Sequence, residues 1–254
     1  MYNNWLTIGP VTIHGYGVMI AIGILMAVWY SEKMAKKYGL MAEKIDGLAI
    51  TAVLVGYFFS KVTYCLTVWD EFLANPAAVL GSGGWVVYGG IIGGIFGAWL
   101  YCHFNRLKFM DYFSLVIPSV SLAQGFGRIG CFFAGCCYGK PTNGAWGVTF
   151  PTNSLCPLGV PVIPTQLLSS AGDFILFMIL YRVYQDEKHR KETSAWYLIL
   201  YSIGRFFIEF LRGDVERGYV GNLSTSQFIG LFVIAAGVIL LLAVKRREKE
   251  TIIQ

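Results

Sequence analysis

Charge is what this 254-residue chain has least of. Only 14% of its residues are Asp, Glu, Lys or Arg, and it carries three histidines, where a soluble domain holds about 25% charged residues. So few charges cannot tile the surface of a soluble globule of this size. There is no run of like charge and no basic stripe, which excludes a nucleic-acid partner. Strict apolar/polar alternation is missing, which excludes a transmembrane β-barrel. No motif repeats at a fixed period, and no tract is of low complexity. What is abundant is apolar: 56% of the chain falls in the AVILMFWYC set and the mean hydropathy is +0.57, which excludes intrinsic disorder. A membrane-spanning helix takes about 20 mostly apolar residues, so the composition predicts an all-α polytopic membrane protein.

Seven stretches fit a span, over 13–30, 45–68, 85–104, 112–133, 165–184, 195–211 and 226–244. No Lys or Arg precedes the first and no small-residue cleavage site follows it, so it reads as a retained helix and not a signal peptide. The connecting segments alternate in basic charge. Fourteen Lys and Arg residues fall in the first, third and fifth loops and the tail, whereas the other segments hold only Lys140 and Arg217, with Arg212 at a boundary. The positive-inside rule makes the fourteen cytoplasmic. The N-terminus is then outside, the C-terminus inside, and 245–254 a basic cytoplasmic tail. The longest loop, 138–164, lies outside and carries five prolines, so it reads as a structured cap and not a helix. One membrane domain, 1–254, accounts for the chain.

Ionisable side chains inside spans are costly and functional by default. Here they are Lys61, Arg128, Asp173, Arg205 and Glu209, with Arg212 at the rim. The topology places the basic ones toward the outer half. Spacing of i, i+4 and i+7 puts Arg205, Glu209 and Arg212 on one helix face. Glu209 neutralising two arginines would be a structural triad. An anion site for a phosphate or carboxylate in the outer leaflet also accounts for Arg128 and Lys61, because arginine's planar fork suits phosphate. A phospholipid headgroup is the nearest such anion. Glycines at 81–84, 89–94 and 125–130 frame the outer ends of the third and fourth helices, where they allow close helix packing or close approach to a ligand.

Six cysteines are present, and three of them, Cys131, Cys136 and Cys137, form the densest feature of the chain. CxxC spacing is missing and the only outer-side histidine is His14, so no metal site and no cofactor is predicted. A disulfide from Cys156 to the cluster, a thiol-redox role, and cysteine as a small apolar filler all remain open readings. Cys102, at the cytoplasmic end, reads as packing.

The string Gly-Arg-Ile-Gly-Cys-Phe-Phe-Ala-Gly-Cys-Cys-Tyr-Gly at 127–139 resembles the G-R-x-G-N-F-x-N-x-E-x-x-G signature of prolipoprotein diacylglyceryl transferases. Further echoes follow in order. Ile8-Gly9-Pro10 with His14 to Gly17 resembles the family's opening "GP…YG", and 85–94 its "MSxHGGxxG" segment. Pro164 to Leu167 resembles "HPSQLYE", Gly204 to Arg212 the "FRFxxEFxR" helix, and Leu223-Ser224 with Gln227 the final "LTxGQ". The family has seven helices with the N-terminus outside.

Departures gather at the chemistry. Cys131 and Ala134 stand where the signature has asparagines, Cys136 where it has glutamate, Tyr88 at the histidine of "HGG", and Ser169 at the glutamate after "QLY". Retained are Tyr16, Arg128, Gly130, Phe132, Gly139, Gln166, Arg205, Glu209 and Arg212. The resemblance therefore implies a multi-pass enzyme of the bacterial cytoplasmic (inner) membrane. It would move the diacylglyceryl group of phosphatidylglycerol onto the lipobox cysteine of prolipoproteins, whose signal peptides are the protein partners, and release glycerol phosphate. Arg128, Arg205 and Arg212 would meet the leaving phosphate, with Gly139, Gln166 and Glu209 completing substrate binding. Tyr16 and Tyr88 are candidates for orientation or proton transfer, alongside Arg128 and Arg205 as catalytic groups. The altered positions leave two alternatives: a paralogue with the same donor and another acceptor, or a membrane thiol oxidoreductase built on the cysteine cluster. A transporter is a weaker reading, since no inverted repeat is visible.

Overall fold

A helix runs through each of the seven apolar stretches. The computed structural model describes residues 3–9, 11–151, 154–156, 159–214 and 218–253. Pro10, Pro157 and Arg217, used in the sequence reading, lie outside them, and so does the side chain of Lys249. In order, the elements are β1 (Asn4–Ile8), β2 (Val11–His14), α1 (Gly15–Lys37), α2 (Ile45–Thr67), α3 (Trp69–Ala74), α4 (Pro76–Gly81), α5 (Val87–Phe104), α6 (Phe109–Ala134), α7 (Thr165–Gln185), α8 (Thr193–Glu209), β3 (Tyr219–Val220), β4 (Leu223–Ser224) and α9 (Thr225–Ile253). Among the described residues, six helices are long and apolar enough to cross a membrane. The stretch expected at 195–211 is the 17-residue α8. At 1.5 Å per residue α8 is about 26 Å long, a little under the ~30 Å apolar core of a bilayer. The basic tail is not separate from the last helix, since α9 continues through it.

The described residues pack as two compact units, one of residues 1–30 with 114–254 and one of residues 31–113. In the second, α2 and α5 pack face to face through glycine. A Cβ on Gly89 would fall 2.7 Å from the Phe59 carbonyl oxygen, and one on Gly93 would fall 2.4 Å from the Phe59 Cβ. At this helix pair the glycines serve backbone approach. Lys61, expected to join the anion site, has a different role. It is buried, and its Nζ donates to the carbonyl oxygens of Ser82 at 2.8 Å and Gly84 at 3.3 Å. The Trp85 ring lies 4.7 Å from that ammonium and the Tyr64 ring 5.0 Å. The ammonium thus holds the 81–84 turn in place by filling its acceptors.

In the first unit, the antiparallel β1–β2 hairpin leads into α1. Asn3 closes the start of that helix: Gly15 N donates to its carbonyl at 2.6 Å and Tyr16 N to its Oδ1 at 3.1 Å, satisfying two of the N–H groups a helix start leaves open. Serines join α6 to α7. Ser121 Oγ donates to the Asp173 carbonyl at 2.8 Å and Ser170 Oγ to the Gly125 carbonyl at 2.9 Å. α8 is tied to α6 by Tyr197 Oη donating to Gln124 Oε1 at 3.0 Å. Ser224 and Gln227 cap α9 reciprocally: Ser224 N donates to Gln227 Oε1 at 3.1 Å, and Gln227 N to Ser224 Oγ at 3.2 Å. That is a capping box, so the "LTxGQ"-like motif serves helix geometry.

The described residues of 138–164 are tied together by backbone pairing and by a small core. Val162 pairs with both Pro141 and Val148 in isolated bridges. Phe132, Phe150, Cys156 and Val162 form a buried core beneath it, with the Phe132 and Phe150 rings edge to face at 5.6 Å.

Candidate active site

Three helices of the first unit, α6, α7 and α8, line a cleft of about 520 Å³. α6 supplies Arg128, α7 supplies Ser169, Gly172 and Asp173, and α8 supplies Tyr201, Gly204 and Arg205, with leucines and Ile208 completing the wall. Arg128 is partly buried, and among the described residues no hydrogen bond or ion pair reaches its guanidinium. A cation inside an apolar span normally pairs with a counter-charge or backbone carbonyls. This one faces the cleft with its five donors unspent.

Arg205 is partly spent. Its Nη1 pairs with Glu209 Oε2 at 2.6 Å and its Nη2 donates to Ser226 Oγ at 3.3 Å. The i, i+4 relationship expected from the spacing is therefore present, with the Glu209 side chain 2% exposed. Arg212 does not extend that helix face. α8 ends at Glu209 because the chain turns there to pair with the start of the outer loop. Arg212 bridges Gly139, Lys140 N donates to Leu211 O at 2.8 Å, and Gly213 N donates to Tyr138 O at 3.0 Å. From that position Arg212 forks onto Asp214, its Nε donating to Oδ1 at 2.9 Å and its Nη2 to Oδ2.

Gly139, expected to bind substrate, lies in this backbone crossing. A Cβ there would fall 2.5 Å from the Ile163 carbonyl oxygen and 2.9 Å from that of Leu211, so only glycine fits. Gln166, also expected in substrate binding, is buried at the start of α7 and donates its Nε2 hydrogen to the Cys136 carbonyl at 2.7 Å, while Thr165 Oγ1 donates to the Cys137 carbonyl at 2.8 Å. The first turn of α7 thus grips the Cys136-Cys137 backbone. Gln166 Oε1 is buried without a hydrogen-bond partner.

The cysteine cluster is assembled in space. The Sγ atoms of Cys131, Cys136 and Cys137 all lie within 4.8 Å of one another. Cys131 sits in the last turn of α6. Gly135 then takes φ +75° and Cys137 φ +59°, turning the chain back over the helix end. The left-handed conformation at Cys137 is rare for a residue with a side chain and stores strain of the kind found at functional sites. Hydrogen bonds from the Cys131 and Cys136 thiols hold the Cys137 thiol far below its usual range, and Arg212 and Arg128 add to this. Cys136 is pushed well above it by its hydrogen bonds with Cys131 and Cys137 and by burial. All six cysteines are free, and Cys156 is packed in the loop core.

Tyr16 lies against α6 at Gly130, the residue before Cys131: a Cβ on Gly130 would meet its carbonyl oxygen at 3.1 Å and its ring at 3.2 Å. Tyr88 opens α5 in the other unit and is 42% exposed. Two site residues were not assigned from sequence. Asp173 was visible as a charge within a span but had no assigned partner; it is buried in the cleft, where Arg128 and Arg205 act on it. Asp214, just beyond the last helical turn, carried no signal that it would hold Arg212.

The prolipoprotein diacylglyceryl transferase family matches residues 3–243 of the chain. A relative from Clostridium perfringens (strain 13 / Type A), phosphatidylglycerol–prolipoprotein diacylglyceryl transferase 2, is 43% identical over 230 residues, 90% of each chain. Another from Clostridium tetani (strain Massachusetts / E88), named as the same transferase, is 45% identical over 228 residues, 89% of this chain and 91% of its own. A third, from Finegoldia magna (strain ATCC 29328 / DSM 20472 / WAL 2508), is 32% identical over 240 residues and 93% of each. With the match running through every helix of the cleft and the cysteine-bearing turn, the chain belongs to the prolipoprotein diacylglyceryl transferase family.

Proposed function

We propose that this chain transfers the diacylglyceryl group of phosphatidylglycerol to the lipobox cysteine thiol carried by prolipoprotein signal peptides, at the outer leaflet of the bacterial cytoplasmic membrane. The observation that carries the reading is Arg128, which faces a cleft among apolar helices with no hydrogen bond or ion pair to its guanidinium among the described residues. A lipid phosphate is the anion such a site meets, and a guanidinium takes it through two parallel hydrogen bonds. The names of the relatives supply the donor and acceptor classes.

In the reaction the acceptor sulfur forms a bond to the terminal glyceryl carbon of the donor. The bond from that carbon to the phosphate oxygen breaks, and glycerol phosphate leaves with the electron pair. Arg128 and Arg205 stabilise the charge that grows on the leaving oxygen. Glu209 and Ser226 fix the Arg205 plane, and Asp214 fixes Arg212 at the outer rim. Asp173 balances the two cleft arginines before the donor enters. An N-terminus outside and a basic C-terminal helix end in the cytoplasm, as the loop charges indicate, put this cleft in the outer half of the membrane.

A second reading keeps the donor and changes the acceptor. It is favoured by cysteines standing at the signature's asparagine and glutamate positions. Purified protein given labelled phosphatidylglycerol and a lipobox peptide separates the two. Label on the peptide cysteine is the expected result, and label only on water or a small thiol would overturn the first reading. Complementation of a strain lacking its own diacylglyceryl transferase tests the same point in cells.

A further inference from the structure

Three sulfur atoms gathered at a helix end are more than packing requires. Tetrahedral zinc at about 2.3 Å from each sulfur sets its thiolates about 3.8 Å apart, and the Sγ atoms of Cys131, Cys136 and Cys137 lie within 4.8 Å of one another. Closing that gap takes at most about one ångström per pair. The backbone is already committed to this arrangement, through left-handed Gly135 and Cys137 and through Thr165 and Gln166 fastening the two carbonyls that follow. CxxC spacing is not needed, because the turn back over the end of α6 does the work that spacing does elsewhere.

We infer that Cys131, Cys136 and Cys137 form a three-thiolate site for a soft divalent ion of the zinc class, with the fourth position open to the thiol of the acceptor. Three protein ligands and one open position is the pattern of catalytic, not structural, zinc. Among the described residues no histidine or carboxylate joins the three sulfurs. Cys131 and Arg128 are three residues apart on α6 and so are neighbours on one helix face, which brings the three-sulfur site close to the guanidinium assigned to the donor phosphate.

The chemistry fits the transfer, and this inference rests on the reading given under Proposed function. A thiol that coordinates such an ion is deprotonated outright, its proton passing to water. The bound thiolate attacks the glyceryl carbon, the carbon–oxygen bond breaks toward phosphate, and the neutral thioether leaves as a weak ligand. This gives the chain a way to activate the acceptor with Tyr88 at the histidine position.

The test uses the full-length protein in detergent, titrated with Co2+ alone as the spectroscopic stand-in. Sulfur-to-cobalt charge-transfer absorption saturating at one ion per chain is expected. Cys131→Ser and Cys136→Ser lose that absorption, whereas Cys156→Ser, outside the cluster, keeps it. A lipobox peptide then shifts the cobalt ligand-field bands, and the same peptide with serine for cysteine does not. Wild-type protein that transfers diacylglycerol yet shows no charge-transfer band overturns the metal site and leaves the proposed function standing. The converse, a band without transfer, overturns the proposed function and retains the site. A cobalt spectrum indifferent to the peptide overturns the open position.

Discussion

Arg212 grips Asp214 with two prongs, Nε to Oδ1 at 2.9 Å and Nη2 to Oδ2, directly after the chain leaves α8. The pair fixes the plane of a guanidinium whose position is set by the bridge to Gly139. Asp214→Ala should leave that fork unheld. Charge-assisted hydrogen bonds are worth about 1.5–3 kcal/mol, so transfer measured as kcat/KM should fall roughly tenfold or more. Asp214→Glu should recover part of it. Unchanged kinetics in Asp214→Ala would show that Arg212 needs no orientation for transfer.

Arg128 carries the heaviest expectation. Removing one preorganised donor aimed at developing charge costs about 10²–10³ in rate, and here the donor is a full cation in an apolar cleft. Arg128→Ala should lower transfer from labelled phosphatidylglycerol by at least that factor. Arg128→Lys, which keeps charge but loses the fork, should fall between. Full activity of Arg128→Ala in a membrane assay would remove the donor site from this cleft.

The helices were legible because apolar run length is a local property, and the starts of α2 and α7 fall at the residues expected. The site was legible only in part. Arg205 and Glu209 pair as their i, i+4 spacing requires, but Arg212 leaves the helix because its backbone finds a partner in the outer loop, 73 residues earlier at Gly139. No helical period contains that information. Cys131, Cys136 and Cys137 were visible as a cluster, yet their convergence depends on two left-handed residues, and one of these, Cys137, has no sequence signature for φ +59°. The S-x-x-Q capping box that opens α9 is a local signal, legible in Ser224 and Gln227.

Gly139 offers a stability test separate from chemistry. An added Cβ would lie 2.5 Å from the Ile163 oxygen and 2.7 Å from the Ile163 Cβ. Crowding of a packed site costs about 1–3 kcal/mol. Gly139→Ala should therefore lower the melting temperature of the purified protein, and loss of activity should track loss of folded protein. A variant folded as well as the parent but inactive would return Gly139 to substrate contact.

Lys61 distinguishes a structural cation from an anion site by where its loss is felt. Its ammonium already serves two carbonyl oxygens, and the rings of Tyr64 and Trp85 flank it, so little capacity is left for a lipid phosphate. Lys61→Met keeps the chain length and removes the donor, leaving the 81–84 carbonyls unmet. The expected cost is about 1.5–3 kcal/mol of stability, read as a lower denaturation midpoint, with KM for phosphatidylglycerol unchanged in the fraction that remains folded. A raised KM at parental stability would instead place Lys61 on the donor, since a group that binds substrate without holding the fold moves KM and leaves the midpoint alone.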